Sequence, residues 1–327
     1  MEKITKKQPI NALKDGDRVD DVFVVKIKKG VSSYKNGYSF TLILSDSSGE
    51  SIDYKFWGGK NEEVVRKLYD SIKADSVVHV QGRFSFYGVT PQIATNEPDI
   101  IETLEKGQYE ESDFVKKSKK DIDKMYDELI NFITSVKNEQ LKKLLSSVFE
   151  DSSIKGKFKT HPGGITIHHN WIGGLLQHTL EVTKYCELSA EDCPTMNRDL
   201  LITGALLHDI GKLEELEVTT RIKGSRKGQL HGHIVLGSIF ISNRMNELKI
   251  DEDIRDKLLH IIISHHGTNE FGSPEEPMFP EAVAIYYADE ISSKLAEITE
   301  YIEENKPETE DDFKMKYPRD GRKIFLR

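Results

Sequence analysis

Leu206-Leu207-His208-Asp209-Ile210-Gly211-Lys212 decides how this chain is read. An imidazole and a carboxylate stand side by side at the end of the strongly apolar segment 199–210. Buried groups of this kind must be paired or bound to a metal. A single such dipeptide carries no weight. Outward from it, the same chemistry recurs in the order His178, His208-Asp209, His233, His265-His266 and Asp289. Each falls on apolar sequence with helical spacing. Mixed nitrogen and oxygen ligands suit zinc, manganese, iron and their neighbours.

The spacing predicts which helix carries each group. Gly173-Gly174-Leu175-Leu176-Gln177-His178-Thr179 opens a helix running to about residue 188. His208 and Asp209 end a buried helix. Lys212, four residues beyond His208 and three beyond Asp209, faces the same cavity if the turn persists. His233 begins the helix 233–248. His265 and His266 end another, 258–266, which Gly267 stops. Asp289 lies within 282–295, among Ala, Ile and Tyr, where a carboxylate needs a partner. Ligands on five helices can therefore converge on one cavity. His79 and His260 read as hydrogen-bonded histidines that bind nothing. His161, His168 and His169 precede the first of these helices. They read equally as substrate contacts, an extra ligand or a helix-entry structure.

The chain has 327 residues, enough for two domains with proper cores. Its 37% hydrophobic and 31% charged content is that of an ordinary globular protein rather than a disordered one. Cys186 and Cys193 form no disulfide framework, which suits a reducing cytoplasm. No secretory signal follows Met1, and no apolar run approaches the ~18 residues of a membrane span. The net charge of −9 argues against nucleic-acid binding by bulk attraction. All of that deficit lies beyond residue 106, so any polyanion contact must be local.

Residues 15–105 read as β-rich. Runs at 19–29, 38–44 and 51–57, a helical stretch at 62–72, and runs at 76–86 and 89–101 make five strands and a helix. That is the element order of an OB-fold, which most often binds single-stranded nucleic acid or oligosaccharides across its strands 2–3. A small β-barrel with another role is the rival. The period turns helical from Asp121. The expected architecture is multidomain: an N-terminal all-β OB-fold barrel, then an all-α helical bundle. The expected boundaries are an N-terminal extension (1–14), the OB-fold (15–105), a linker (106–120), the helical domain (121–305) and a basic C-terminal tail (306–327). The tail holds Lys314, Lys316, Arg319, Arg322, Lys323 and Arg327. It is either a solvated end or an arm toward nucleic acid or a partner subunit.

The second half resembles the HD-domain phosphohydrolases. The carriers are His168 to Thr179, Leu207-His208-Asp209-Ile210-Gly211-Lys212, Gly232-His233-Ile234, Ser264-His265-His266-Gly267 and Ala288-Asp289. With its OB-like first part, the chain over roughly 15–300 is similar to the YhaM-type 3′→5′ exoribonucleases. His266 is followed by Gly267-Thr268-Asn269-Glu270-Phe271-Gly272-Ser273-Pro274, without the Gly-Tyr-Pro of the cyclic-dinucleotide HD-GYP enzymes. Gln177 stands where some HD proteins have an acidic residue, and no role is assigned to it.

The resemblance implies metal-dependent cleavage of single-stranded RNA, or DNA, from the 3′ end to 5′-mononucleotides. It implies two divalent ions, manganese first, with iron, cobalt, nickel or zinc as alternatives. His178, His208, Asp209 and Asp289 would hold one ion. Asp209 would bridge to a second held by His233, His265 and His266. Asp209 and Lys212 are the catalytic candidates, Lys212 toward a phosphate oxygen. Candidate substrate contacts are His168 and His169 and the basic loop Arg221, Lys223, Arg226 and Lys227. In the OB-like part they are Tyr34, Tyr38, Trp57, Phe86 and Tyr87 for stacking, and Lys35, Lys55 and Arg83 for phosphates, although most strand aromatics are core. No membrane partner is expected, and a homo-oligomer stays open. Two rivals remain: an HD phosphohydrolase of small nucleotides with a regulatory OB domain, and a nucleic-acid-binding module without catalysis.

Overall fold

A computed structural model describes residues 3–96, 98–110, 113–165, 168–305, 313–314, 317 and 321–326. Lys316, Arg319 and Arg327 of the expected basic tail lie outside the described residues. The chain divides into two compact units, Met1–Lys117 with Val218–Ile222, and Ser118–Glu217 with Lys223–Arg327.

The first unit is sheet-rich. Its strands are β1 (Arg18–Tyr34), β2 (Gly37–Ser45), β3 (Ser51–Trp57), β4 (Val77–Tyr87), β5 (Thr90–Thr95) and β6 (Ile101–Leu104), with α1 (Glu62–Ser71) between β3 and β4. They form one sheet in the order β1-β2-β3-β5-β4-β6, and β1 also pairs with β4, from Arg18↔Arg83 to Val24↔Val77. The β3–β5 ladder is parallel. Period-two patterning sets the register: Leu42 faces Tyr54 and Leu44 faces Ile52, all buried. Register shifts after Val25 and Lys29 let the long β1 bend between its two partners. The single strand expected over 89–101 is two strands. The chain turns at Asn96–Asp99, around Pro98, which has no N–H to give to a ladder.

Phe23 and Val25 face one core of this unit, while Val22 and Val24 face the opposite side. There they meet Val77, Leu104 and Phe114, with Tyr109 against them. Tyr109 also bridges to Ile4. Tyr109 and Phe114, from the stretch expected as a linker (106–120), thus pack within the first unit.

The second unit is helical. Its helices are α2 (Ile122–Ser135), α3 (Glu139–Phe149), α4 (Ser152–Thr160), α5 (Gly174–Asp192), α6 (Arg198–Leu207), α7 (Lys212–Glu215), α8 (Arg226–Leu248), α9 (Glu252–Ser264) and α10 (Pro280–Glu304). Asp121, Asn138, Asp151, Asn197 and Ser225 cap the starts of α2, α3, α4, α6 and α8 with side-chain oxygens. Their apolar faces close around Leu129, Leu145, Leu176, Leu201, Leu206, Ile261 and Ile285. The basic stretch expected as an open loop instead forms a short hairpin, β7 (Leu216–Val218) with β8 (Ile222–Gly224), and the first turns of α8. Near the C-terminus β9 (Phe313–Lys314) pairs with β10 (Ile324–Phe325). Among the described residues, no helix is long and apolar enough to cross a membrane.

Two glycines position the site. At Gly232 the backbone leaves helical geometry (φ 70°, ψ 159°), so α8 kinks and its main run begins at His233. A Cβ on Gly211 would lie 1.9 Å from the His233 carbonyl oxygen. Only glycine lets the turn after Asp209 press against the start of that run.

Candidate metal centre

His208 and His265 occupy the same local position, the residue that closes a buried helix. Each ring uses its Nδ1–H on the carbonyl three residues back: Ala205 O at 2.8 Å for His208 and Ile262 O at 2.6 Å for His265. Helix-end carbonyls lack intrahelical partners, so both needs are met together. The other rings are held likewise. His178 Nδ1 contacts Ser292 Oγ at 3.0 Å, and Ser292 donates onward to Glu181 at 3.0 Å. His233 Nδ1 meets Glu215 at 3.1 Å, and His266 Nδ1 meets Phe271 O at 3.1 Å. With every Nδ1 engaged, all five Nε2 lone pairs are left for one centre.

Those Nε2 atoms surround Asp209. Oδ2 lies 3.4 Å from both His178 and His208. Oδ1 lies 3.6 Å from His233 and 3.7 Å from His265. His178 and His208 are 3.3 Å apart at Nε2, as are His233 and His266. Asp289 Oδ1 is 3.1 Å from His178 Nε2. Two groups with metal-site geometry result: His178, His208 and Asp209; and Asp209, His233, His265 and His266. Asp209 belongs to both. Lys212 reaches its Oδ2 at 2.6 Å.

The residues fit divalent metal. Asp209 Oδ1 and His265 Nε2 are buried and have no hydrogen-bond partner. Two buried acceptors facing each other call for a cation. The electrostatics agree. Burial alone raises a carboxyl, yet Lys212 and His208 hold Asp209 far below the usual range. Burial likewise opposes ionisation of Asp289, which His178 and His208 hold ionised. Burial disfavours a charged His178, but Asp209 and Asp289 outweigh it and push it up to about 9. A bound cation would displace that proton. Burial, with His265 beside it, takes His266 down to about 4, and burial also lowers His265. Those two are neutral, ligand-ready imidazoles at neutral pH.

A cleft of about 520 Å³ opens onto the centre, lined in part by His168, Lys212, His233, His266, Asp289, Phe271 and Lys294. His168 is therefore where a substrate contact was expected. Burial and the nearby Lys212 depress it to about 3. His169 is corrected: it is fully buried, with Nε2 on Glu181 at 2.9 Å, and cannot touch substrate. Three of the cations expected as a clamp or a solvated loop are engaged in surface ion pairs. Arg221 pairs with Asp75 at 2.7 Å, Lys223 with Glu217 at 3.5 Å and Lys227 with Glu214 at 3.0 Å. Arg226 is exposed, and none of the four lines the cleft, where Gly224, Gly228 and Gln229 stand instead.

Candidates in the first unit divide. Tyr34 packs edge-on against Trp57 at 4.7 Å, and the Lys55 ammonium stands 5.0 Å from the Trp57 ring centre. Tyr38 packs on the core, while Lys35, Arg83, Phe86 and Tyr87 are exposed.

Sequence reading missed the oxygens behind the rings. Glu181 lies three residues after His178 and Ser292 three after Asp289, so helical spacing alone placed each on a ligand's face. Glu215 carried no comparable signal.

The HD domain family matches residues 175–294. The 3′-5′ exoribonuclease YhaM of Bacillus subtilis (strain 168) is 30% identical over 294 residues, spanning 89% of this chain and 90% of that protein. This chain belongs to the YhaM family. The YhaM protein of Halalkalibacterium halodurans is also 30% identical, over 89% of this chain and 88% of its own. Among solved structures, the HD domain of the L. monocytogenes phosphodiesterase PgpH aligns with a TM-score of 0.31 at 16% identity, over 47% of this chain and 80% of that one. As a YhaM-family protein with an HD domain, the chain is a hydrolase.

Proposed function

We propose that this protein is a metal-dependent 3′→5′ exoribonuclease that hydrolyses single-stranded RNA, or DNA, to 5′-mononucleotides. The observation that carries this is the pair of ligand groups sharing Asp209 at the foot of a nucleotide-sized cleft, in a chain whose full-length relatives bear the exoribonuclease name. His178, His208, Asp209 and Asp289 would hold one ion and Asp209, His233, His265 and His266 a second, with manganese the first expectation. When bound, such ions activate water and neutralise phosphate charge. The water oxygen bonds to phosphorus and the bond to the preceding ribose 3′-oxygen breaks. That oxygen takes up a proton, so the phosphate leaves on the 5′ side of the terminal nucleoside. Lys212, buried yet held charged by Asp209 and Asp289, is suited to a phosphate oxygen.

The first unit we read as an OB-type barrel. The β1–β4 ladder supports this, since it joins the two ends of the order β1-β2-β3-β5-β4. Tyr34, Trp57 and Lys55 on or beside β2 and β3 offer a stacking and phosphate surface. Two free cysteines are consistent with a cytoplasmic setting.

The test uses RNAs labelled at either end, incubated with single divalent metals. A 3′ label should appear at once as mononucleotide, while a 5′ label should shorten stepwise. Cleavage of a circular RNA would overturn the requirement for an end. Turnover of free nucleotides without oligonucleotide shortening would favour the small-nucleotide phosphohydrolase.

A further inference from the structure

Phe271 lines the cleft and is 59% exposed. Its backbone is anything but free. Residues Asn269–Phe271 form a single 3-10 turn, entered after Gly267 (φ 82°) and left through Gly272 (φ 100°). Phe271 N donates to Thr268 O at 3.0 Å, and Phe271 O receives His266 Nδ1 at 3.1 Å. The same turn returns Ser273 Oγ to the His266 backbone N–H at 3.0 Å. The backbone that carries this apolar ring is thus held by the hydrogen bonds that orient His266, and the residue lines the cleft instead of the core. A single exposed apolar side chain is ordinary on a protein surface, but this one lines the cleft and its own carbonyl holds the His266 ring. The ligand that matches a flat, uncharged ring beside a phosphate-binding centre is a nucleobase.

We propose that Phe271 stacks on the base of the 3′-terminal nucleotide and so seats its 5′-phosphate at the centre. This rests on the exonuclease reading above and specifies its terminal subsite. A stack reads every base and discriminates little among them, which suits degradation without sequence preference. Stacking of this kind multiplies affinity by roughly 5- to 150-fold. The tie through the Phe271 carbonyl gives the stack a fixed distance from His266, so a seated base also sets the phosphate's position.

The experiment pairs the protein with the substrate. One RNA ends in an ordinary nucleotide, and a second ends in a 1-deoxyribose lacking its base. KM and kcat for release of the last unit are measured with full-length wild type, Phe271→Leu and Phe271→Tyr. Equilibrium binding of both RNAs is measured under chelation, and metal content is checked in each protein. The expected result is a KM about tenfold higher for the baseless end in the wild type. That difference should collapse in Phe271→Leu and persist in Phe271→Tyr. Full discrimination retained by Phe271→Leu would overturn the proposal. So would a wild type that releases both ends equally well. If Phe271→Leu fails to fold, Phe271→Met, apolar and without a ring, takes its place, and full discrimination retained by it overturns the proposal equally. A wild type that shortens neither RNA at its 3′ end sinks the exonuclease reading, and the stack falls with it. Shortening without discrimination sinks only the stack.

Discussion

Gly211 and His233 are in such close contact that a Cβ on Gly211 would fall 1.9 Å from the His233 carbonyl and 2.6 Å from Gly237 N. This contact ties the turn carrying Asp209 to the helix run carrying His233, whose Nε2 is 3.6 Å from Asp209 Oδ1. Gly211→Ala should force the two apart. Overpacking of this kind costs about 1–3 kcal/mol, and a displacement near 1 Å costs about 10²-fold in rate. The variant should fold, lose one metal equivalent and hydrolyse at about a hundredth of the wild-type rate. Metal analysis and kcat together check it. Full metal content with wild-type kcat would mean the contact is not what aligns the centre.

Asp209→Asn keeps the shape of the side chain and removes the charge shared by both ligand groups. Hydrolysis should be lost at every metal concentration, with affinity reduced for both ions rather than one. Calorimetric titration with manganese counts the sites. Activity within about tenfold of wild type at saturating metal contradicts the shared-carboxylate reading.

The cluster of His and Asp side chains around Asp209 was legible because its signals are local. His208-Asp209 and His265-His266 end apolar helices, and helix-end carbonyls at i−3 fix their rings without help from elsewhere. The strand pattern was legible for the same reason, since burial alternates with period two along Phe40, Leu42 and Leu44. What depended on distant partners was not legible. Arg221 reads as a free cation until Asp75 is placed against it. His169 reads as a substrate contact until Glu181 closes over it. Residues 106–120 read as a linker because their charge hides Tyr109 and Phe114. The split of 89–101 follows from Pro98, whose missing N–H was available in the sequence.

His161 supplies a pH test. It is buried, its Nε2 donates to Lys212 O at 2.9 Å, and burial depresses it to about 4 from the usual 6.5. Its folded value lies below its unfolded value, so between these limits the unfolded chain holds more protons. Stability from this group is present above pH 6.5 and is lost as pH falls toward 4. His168 and His266 act in the same direction, while His178, at about 9, acts in the opposite one. Urea unfolding of the chelated protein should show the wild type losing roughly 2 kcal/mol more than His161→Gln between pH 7 and pH 5. Parallel pH profiles would remove His161 as a source of acid sensitivity.

Tyr87 separates strand capture from chemistry. It ends β4 with 79% of its surface exposed, opposite Thr90 at the β5 tip. Its removal leaves no cavity and should cost little stability. Trp57 would be a poorer probe, because its ring is braced by Tyr34 and Lys55, and truncating it would disturb β2 and β3 together. If the sheet-rich unit holds the strand, Tyr87→Ala should raise the Kd of a long single-stranded RNA by about fivefold, the low end of one base stack. If the platform acts only on strands long enough to reach it, the kcat/KM of a dinucleotide should not change. Fluorescence anisotropy of a long labelled RNA under chelation reads the first quantity, and release of mononucleotide from a dinucleotide reads the second. Equal losses on both substrates would mean that Tyr87 supports the hydrolytic centre itself. No loss on either would move strand capture away from the β4–β5 tip, leaving Tyr34, Lys55 and Trp57 as the surface to test next.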